Sequence, residues 1–322
     1  MFVRKARNRY PTLTAKNAVK VGHPFPLSST GMQFEIVTIF PGLFTGIFEN
    51  GVVQRAQTNG LIEVNLHDLR AFTHDRHRTV DDRPFGGGEG MVLKPEPLAE
   101  ALASLGIQPK AERYRAFQED TESAPDPAAR TRVILLSAQG RPFAQALARE
   151  LSQLDRLVLL CGRYEGVDER INQLYCDMEL SIGDYVLSGG ELAAAIVVDA
   201  TMRLIPGVLG NEASSEFESF GVADAEIDTD IEGVPRSQYG AGGLLDYPHF
   251  TRPAEFGGIS TPEVLLNGDH KQIRLWRREQ QLRKTLANRP DLLEHAALSR
   301  EDRKLLDRIL QETSEIDPRA FF

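Results

Sequence analysis

Two charged residues in the second half of the sequence have the chemistry of an active site. Asp246 follows a pair of leucines and precedes Tyr247, in an otherwise apolar setting. Such a setting disfavours a charged carboxylate and suits Asp246 to accept a proton as a general base, although an Asp there also commonly caps a helix or closes a turn. Arg203 ends an apolar helical pattern and is the second candidate; alternatively, its charge only relieves the helix dipole.

A glycine-rich stretch has the character of a small-molecule site. Residues 181–192 contain three glycines, between the end of a short apolar strand pattern and a helix pattern that is apolar almost all round and is therefore predicted to be buried. Glycine lets the backbone approach a ligand closely, and the main-chain N–H and C=O groups of such a loop need partners. A tight turn without a ligand is the alternative for a Gly-Gly pair, but the glycine-containing loops elsewhere in the chain favour a ligand.

The loop at residues 73–91 is dense in charge and ends in a glycine run. His74 and His77 could suggest a metal, but no third ligand at a known spacing accompanies them, so a salt-bridged polar loop is favoured and no metal site is predicted. The run at 86–90 has the glycines of a phosphate cradle, but no Lys-Ser or Lys-Thr follows it, which counts against a P-loop. No GxGxxG pattern follows a strand, which counts against a Rossmann-type cofactor site.

Residues 271–284 are strongly basic. Arg274, Arg277 and Arg278 are predicted to share one helix face, with Trp276 beside them. Such a face is usually solvated surface, but arginine binds phosphate and stacks on bases, so contact with RNA is the competing interpretation. Because the chain has a formal net charge of −9, nucleic-acid binding must use a local patch of this kind.

The elements that would position these residues alternate between strand and helix. The predicted strands are 33–40, 61–66, 132–137, 156–161 and 178–182, and the predicted helices are 44–58, 97–105, 143–154, 167–174 and 191–203. A turn at 139–142 is predicted to lead into helix 143–154. The alternation predicts an α/β fold with a mainly parallel sheet covered on both faces, and strand 132–137 at its centre because it is apolar throughout. Ligands of such sheets lie at the carboxyl ends of the strands, where the loops after Ser137, Cys161 and Ile182 would converge.

Changes in composition divide the chain. Residues 1–31 carry six positive charges and no acid. A disordered arm, a transit peptide and an extension upstream of the true start compete, and the last is favoured because Met32 opens the first strand. Residues 111–132 are predicted to be a polar surface insertion, and 211–243 an acidic, flexible linker. A second domain is expected at 244–322, helical from Pro262 onward.

Two further features concern location. No apolar run approaches the ~20 residues of a membrane span. Cys161 and Cys176 are both in apolar surroundings and are predicted to be buried free thiols of a reducing compartment. A cytoplasmic protein without a membrane partner is expected.

Five motifs occur together and in order. They are HDRHRTVDDRP at 74–84, GRYEG at 162–166, the stretch 181–192, IPGVLG at 205–210 and DYPHFTRP at 246–253. With them the chain, from Met32 to about Leu310, resembles the bacterial tRNA (guanine-N1)-methyltransferases of the TrmD type, in the SPOUT superfamily. The resemblance implies a SPOUT-type parallel sheet with a deep trefoil knot in residues 32–210, plus a small all-α, tRNA-binding carboxyl domain.

The same resemblance implies an activity and the residues that carry it. A methyl group would pass from S-adenosylmethionine to N1 of the guanosine next to the anticodon on its 3′ side, position 37, preferably after a G, in an obligate homodimer. Asp246 resembles the general base, supplied by the partner subunit, and Arg203 the group that stabilises the guanine O6. The target-base pocket would include Asp81, Gly90 and Glu165. The cofactor would contact Gly162, Ile182, Gly183, Asp184, Tyr185, Val186 and Leu187, with Leu136, Ser137, Gln139 and Gly190 nearby. The family is associated with magnesium, for which no site is assigned.

The chain departs from the family pattern at two positions. Ala138 and Glu89 each stand where the family usually has Pro, and Glu89 puts an extra charge near the bound base. Two other classes of protein stay open. A non-catalytic RNA-binding protein could use the basic helix, but Asp246 and Arg203 argue against it; a phosphate-binding NTPase could use the glycine loops, but the absent P-loop lysine argues against that.

Overall fold

Five parallel strands form the largest sheet in the computed structural model, which describes residues 31–119, 130–210, 218–221, 242–296 and 298–314. The strands are β1 (Met32–Thr38), β2 (Ile62–Asp68), β3 (Asp81–Asp82), β4 (Val92–Leu93), β5 (Thr131–Pro142), β6 (Arg156–Cys161) and β7 (Met178–Ser181). The sheet order is β2-β1-β6-β5-β7, and β3 pairs with β4 in a separate antiparallel ribbon. The predicted parallel sheet is confirmed. Its central strand is β6, however, and β5 lies one place nearer the edge.

Helices cover both faces of this sheet. They are α1 (Gly51–Thr58), α2 (Pro95–Ser104), α3 (Lys110–Glu119), α4 (Gln145–Leu151), α5 (Glu169–Tyr175) and α6 (Glu191–Met202). Side chains alternate along each strand, so Ile134 and Leu136 face one core while Val133 and Leu135 face the other. The first core also holds α6, and the second holds α2 and α5. This is the three-layer arrangement that alternating strands and helices favour.

Four local predictions were wrong. The helix predicted at 44–58 begins only at Gly51, because a 3-10 helix (Pro41–Phe44) and Gly46, with φ +84°, interrupt it. Part of the predicted insertion at 111–132 is helix α3, which Arg113 fastens to Asp177 at 3.0 Å; residues 120–129 lie outside the described part. Strand β5 continues through the turn predicted at 139–142. Helix α6 is not buried all round: its Leu192 and Ile196 are about half exposed.

The carboxyl-terminal part has its own small core. Its elements are the hairpin β8 (Glu255–Phe256) and β9 (Ile259–Ser260), a 3-10 helix (Glu263–Leu265), α7 (His270–Asn288), α8 (Asp291–His295) and α9 (Arg300–Ser314). Leu244, Leu282 and Ile309 pack at its centre. The helices predicted after Pro262 are confirmed, whereas the hairpin makes the expected all-α character wrong. Within the described ranges, no helix combines the length and apolarity needed to cross a membrane.

Several predicted segments cannot be compared with the structure. Most of the basic extension at 1–31 lies outside the described residues, as does most of the acidic linker at 211–243. The described part of that linker includes residues 218–221, which prove to belong to the candidate site.

Candidate active site

Three loops meet at the carboxyl end of the sheet, as the glycine pattern predicted. The Gly190 N–H donates to the Gly162 carbonyl oxygen at 2.9 Å, which joins the loop after β7 to the loop after β6. A Cβ placed on Gly190 would lie 2.8 Å from Cys161 Cα and 3.2 Å from Leu136 Cβ. Only glycine permits this approach, because any side chain at position 190 would overlap the ends of both neighbouring strands. The loops at Leu136, Gly162 and Gly190 therefore form one site.

The predicted cofactor loop leaves apolar and main-chain groups accessible. Gly183 has φ +150°, a conformation that L side chains rarely adopt, and its N–H donates to Ser181 Oγ at 3.3 Å. Tyr185 and Val186 are exposed, Val186 by 86%, although both belong to a short loop beside a core helix. A small organic ligand could bind here by covering these exposed apolar side chains and contacting the main-chain atoms of the glycine loop.

The three residues assigned to the target-base pocket lie on adjoining segments, namely β3, the loop before β4 and the loop after β6. The Glu165 N–H donates to the Met91 carbonyl oxygen at 3.0 Å, and a Cβ placed on Gly90 would lie 2.5 Å from Glu165 Oε1. Asp81 pairs with Leu93, which in turn forms a bridge with Val167, two residues beyond Glu165. The structure thus brings Gly90 and Glu165 into contact and places Asp81 in the adjoining strand.

The candidate catalytic residues are connected through residues 218 and 219. Arg203 ends helix α6, and its guanidinium donates to Glu218 Oε1 at 2.6 Å. This hydrogen bond raises the pKa of Arg203, so the side chain stays charged. The Asp246 N–H donates to Ser219 Oγ at 2.9 Å. Arg203 and the Asp246 backbone are therefore linked through two consecutive residues of a single chain.

The apolar setting predicted for Asp246 is wrong. Its Oδ1 accepts from the Tyr247 N–H at 2.8 Å, its Oδ2 lies 3.0 Å from His249 Nε2, and the side chain is 22% exposed. The leucines that precede it explain the error. Leu244 turns into the carboxyl-terminal core, and the Leu245 N–H donates to Thr285 Oγ1 at 3.0 Å on α7. Both fasten the backbone and leave the carboxylate in polar surroundings.

Glu218 is the site residue that the sequence did not identify. It belongs to an acidic stretch that has the composition of a linker, and a carboxylate in such a stretch carries no distinguishing signal. The sequence pointer is the pair of phenylalanines that flank it, Phe217 and Phe220, since large apolar residues are unexpected in a solvated linker.

The histidines of the polar loop do not lie together as metal ligands. His74 Nε2 is 2.8 Å from Glu100 Oε2, while the His77 N–H donates to Asp75 Oδ2. Across the described ranges, no three His, Cys, Asp or Glu side chains are arranged to hold a metal ion.

Comparison with known proteins gives this arrangement a family. A sequence model described as tRNA (Guanine-1)-methyltransferase TrmD matches residues 32–295. Proteins named tRNA (guanine-N(1)-)-methyltransferase from Koribacter versatilis and Dehalococcoides mccartyi are 55% and 46% identical, over 85% and 89% of this chain and 97% and 100% of their own lengths. A protein of the same name from Geobacter metallireducens is 45% identical over 85% of this chain and 96% of its own length. This chain belongs to the TrmD family.

In this TrmD family member, the basic stretch is only partly a surface. Arg278 is buried and donates through Nε and NH2 to Asp302 at 2.8 and 2.9 Å, so neither interpretation of the basic face, solvated surface or RNA contact, extends to it. Arg277 stays at the surface with its guanidinium 4.8 Å from the centre of the Tyr247 ring. Trp276 meets Phe250 edge to face at 6.1 Å. These contacts attach the Asp246 segment to helix α7.

Both thiols are buried and free, as predicted. Burial raises the pKa of Cys176 to about 12, and burial together with the charge of Glu191 raises that of Cys161 well above its ordinary value. Neither thiol is suited to act as a nucleophile near neutral pH.

Proposed function

We propose that this chain transfers a methyl group from S-adenosylmethionine to N1 of the guanosine at tRNA position 37, next to the anticodon on its 3′ side. Family membership supports the reaction class. One observation in the structure supports the mechanism: Arg203, at the end of the helix that leaves the glycine loops, donates to the Glu218 carboxylate, and the next residue, Ser219, accepts from the Asp246 N–H.

The residues at the carboxyl edge of the sheet fit S-adenosylmethionine. When bound, that molecule supplies an electrophilic methyl group on a sulfonium. Backbone groups of Gly162 and of residues 182–187, with Leu136, Ser137, Gln139 and Gly190 beside them, would hold it. The exposed apolar surface of Tyr185 and Val186 suits a flat base. The close approach of Gly190 to Cys161 brings the main-chain groups of the loops after β6 and β7 together.

The chain's own side chains would make guanine N1 reactive. N1 is a weak nucleophile until it loses its proton, and loss of that proton builds negative charge on O6. Arg203 would stabilise this charge through its guanidinium at the end of α6, once that group turns from Glu218 to O6. We propose that Asp246 accepts the N1 proton.

Glu218 is a second candidate for the base, because it touches Arg203 directly. N1 and O6 are attached to the same carbon of guanine, so the base and the O6-stabilising cation must approach the same edge. When Arg203 turns from Glu218 to O6, it leaves that carboxylate without its cation and beside N1. Asp246 is connected to Arg203 less directly, because its N–H donates to Ser219, the residue after Glu218.

The target guanine would lie against Asp81, Gly90 and Glu165. The carboxylates of Asp81 and Glu165 are complementary to the N–H groups on the Watson–Crick edge of guanine. Glu89, beside Gly90, is exposed and adds a further negative charge to this surface.

A trefoil knot is supported by the path of the chain after β7. The chain leaves the edge strand, crosses the end of β5 and returns to β6, where Gly189 forms an antiparallel bridge with Arg163. Meanwhile β5 has a register shift between Leu136 and Arg141, after which it pairs again with β7. If the segment after β7 passes behind the loop that β5 forms at this register shift, the chain has the arrangement expected of a knotted SPOUT domain.

A homodimer is supported by apolar side chains on one face. Leu192 and Ile196 of α6 are half exposed, and α6 contacts the 3-10 helix that carries the exposed Leu43. A second copy would cover these side chains, and its Asp246 would reach the cofactor loops of this chain.

The tRNA would also contact the carboxyl-terminal domain. Arg277 and Lys271 are on α7 beside the segment that carries Asp246, so RNA held there would lie near the proposed base. We divide the chain accordingly into 32–210 for the cofactor, 211–243 as a linker and 244–322 for tRNA. A cytoplasmic location and a role for magnesium remain predictions.

Nucleoside analysis tests the proposal. The protein is incubated with an unmodified tRNA transcript and S-adenosylmethionine labelled in its methyl group, and the digested RNA is analysed by mass spectrometry. We expect labelled 1-methylguanosine, which disappears when G37 is replaced by A. Binding of tRNA without methyl transfer would indicate the non-catalytic RNA-binding alternative, and binding of ATP but not S-adenosylmethionine in calorimetry would indicate the NTPase.

A further inference from the structure

A buried ion pair lies directly beneath the predicted cofactor loop. Arg163 Nε donates to Glu191 Oε2 at 2.9 Å and to Oε1 at 3.1 Å. The two side chains are only 14% and 2% exposed. Thr38 Oγ1 donates to Glu191 Oε1 at 2.8 Å, so the pair also connects to the end of β1. Glu191 is in the first turn of α6, where the helix dipole favours a negative charge.

The same arginine grips the backbone of the cofactor loop. Its NH1 donates to the Ser188 carbonyl oxygen at 3.1 Å, one residue after Leu187. Residue Arg163 itself forms a β-bridge with Gly189, and a Cβ placed on Gly189 would overlap the Arg163 side chain. On its other side the guanidinium lies 4.6 Å from the centre of the Phe40 ring. Arg163 thus connects β6, α6 and the end of residues 182–188.

Stability alone is a weak reason for such a pair. Taking two charges out of water costs about as much as their attraction returns, and a well-packed apolar pair is often as stable. An arginine supplies a planar set of hydrogen-bond donors, which an apolar side chain lacks. These donors hold the Glu191 carboxylate and the Ser188 carbonyl at a set angle to one another. The arrangement therefore fixes the geometry of the loop.

We propose that Arg163 and Glu191 are positioning residues for S-adenosylmethionine, which set the shape of residues 182–188 before the cofactor binds. The proposal rests on the proposed function of that loop. Neither side chain has to touch the cofactor. Their effect is transmitted through the Ser188 carbonyl oxygen, which holds the end of the loop, and through Gly189, whose backbone lies against the Arg163 side chain.

The substitution Arg163→Lys tests this role. Lysine keeps a positive charge beside Glu191, but its single ammonium cannot also hold the Ser188 carbonyl oxygen in the same fork geometry. The matched control is Arg113→Lys. Arg113 pairs with Asp177 at 3.0 Å, with side chains 8% and 2% exposed, at the amino end of β7, whereas the cofactor loop follows the carboxyl end of that strand. Both variants disturb a buried arginine–carboxylate pair, but only Arg163 contacts the cofactor loop.

Calorimetric titration with S-adenosylmethionine and thermal unfolding without ligand are measured for each variant. We expect Arg163→Lys to weaken cofactor binding about tenfold, the scale for a lost hydrogen bond from a charged group, while Arg113→Lys changes it less than about twofold. The two variants should lose similar amounts of Tm. In steady-state assays Arg163→Lys should raise KM for S-adenosylmethionine, with kcat at saturation and KM for tRNA nearly unchanged.

Equal effects of the two variants on cofactor affinity, or normal affinity in Arg163→Lys, would overturn the proposal. If Arg163→Lys does not fold, Thr38→Val takes its place, since it keeps both charges of the ion pair and removes only the hydrogen bond donated to the Glu191 carboxylate and the one accepted from the Phe40 N–H. That variant should weaken cofactor binding about threefold, and unchanged binding would again overturn the proposal. Failure of the unaltered protein to bind S-adenosylmethionine would instead contradict the proposed function.

Discussion

Arg203 and Asp246, which are 43 positions apart in the sequence, are joined through two consecutive residues, Glu218 and Ser219. Glu218 accepts a hydrogen bond from the Arg203 guanidinium, and Ser219 accepts one from the Asp246 backbone. A further contact reinforces this arrangement, because the Phe220 N–H donates to the Leu244 carbonyl oxygen at 2.9 Å. The two proposed catalytic residues are therefore linked within one chain.

The identity of the base can be decided by two shape-preserving substitutions. Asp246→Asn and Glu218→Gln each keep the size of the side chain but cannot take up the N1 proton. We expect the variant that lacks the true base to lose about 100-fold or more in single-turnover methylation, while its affinity for S-adenosylmethionine stays within about twofold. The other variant should lose about tenfold, because only positioning is affected.

The proposal of Asp246 as base stands if Asp246→Asn shows the larger loss. A larger loss in Glu218→Gln transfers the role to Glu218, the carboxylate that contacts Arg203. Near-normal methylation by both variants would contradict a carboxylate base at this site, and Asp81 and Glu165 would be examined next. Asp291→Asn is the control, because Asp291 is an exposed carboxylate paired with Arg289 at the surface of the carboxyl-terminal domain.

Mixed dimers test whether the site is shared between subunits. If one chain supplies Asp246 to the cofactor held by its partner, a chain carrying Asp246→Ala and a chain carrying Gly183→Val should restore one intact site per heterodimer. Because Arg203 and Asp246 come from one chain, Arg203→Ala should also be rescued by Gly183→Val. In contrast, Arg203→Ala mixed with Asp246→Ala should stay inactive, since every site would contain one defect.

Activity of purified heterodimers with two different affinity tags is the measurement. About half of the activity of the unaltered dimer is expected in the rescued combinations, as one of two sites is intact. Rescue between Arg203→Ala and Asp246→Ala would show that these residues serve different sites, against the contacts through residues 218 and 219.

The sheet and its glycine loops were predictable because strands and close backbone approaches leave local signals. Strand β6 is an unbroken apolar run, and Gly162 and Gly190 mark places where no side chain fits. The family resemblance added roles for residues but no contacts. Glu218 was missed because its importance comes from Arg203, fifteen positions earlier in the chain. The burial of Arg278 was missed because helical spacing shows which residues share a face, but it does not show that Asp302 packs against that face and pairs with the arginine.

The contact between Gly90 and Glu165 predicts a specific effect of a single methyl group. In Gly90→Ala the new Cβ would lie 2.5 Å from Glu165 Oε1, so the Glu165 side chain must move. Gly87→Ala is the matched control: Gly87 has φ +77°, close to the +83° of Gly90, but nothing lies within 4 Å of its added Cβ. Both variants carry the backbone strain of about 1–2 kcal/mol.

We expect Gly90→Ala to raise KM for tRNA about tenfold more than Gly87→Ala does, at similar Tm. Affinity for S-adenosylmethionine should not differ between the two. Equal kinetic effects would show that strain in the glycine run, and not displacement of Glu165, is responsible.

The last prediction concerns stability at low pH and the buried Glu35. Desolvation by itself raises the pKa of Glu35, but a hydrogen bond with His67 at 2.6 Å and the charge of Arg156 at 3.0 Å together outweigh it and hold that pKa below its ordinary value of 4.5. A carboxyl whose pKa is lower in the folded than in the unfolded protein stabilises the fold at pH values above its unfolded-state pKa, and this contribution is lost as the pH falls through its folded-state pKa.

Glu35→Gln should therefore lower the free energy of unfolding by about 1–3 kcal/mol at pH 7, and the difference from the unaltered protein should shrink below about pH 4.5. Urea unfolding of both proteins at a series of pH values measures this, with Glu63→Gln on the neighbouring strand β2 as the exposed control. A difference that stays constant down to pH 3 would show that Glu35 contributes through packing and not through its charge.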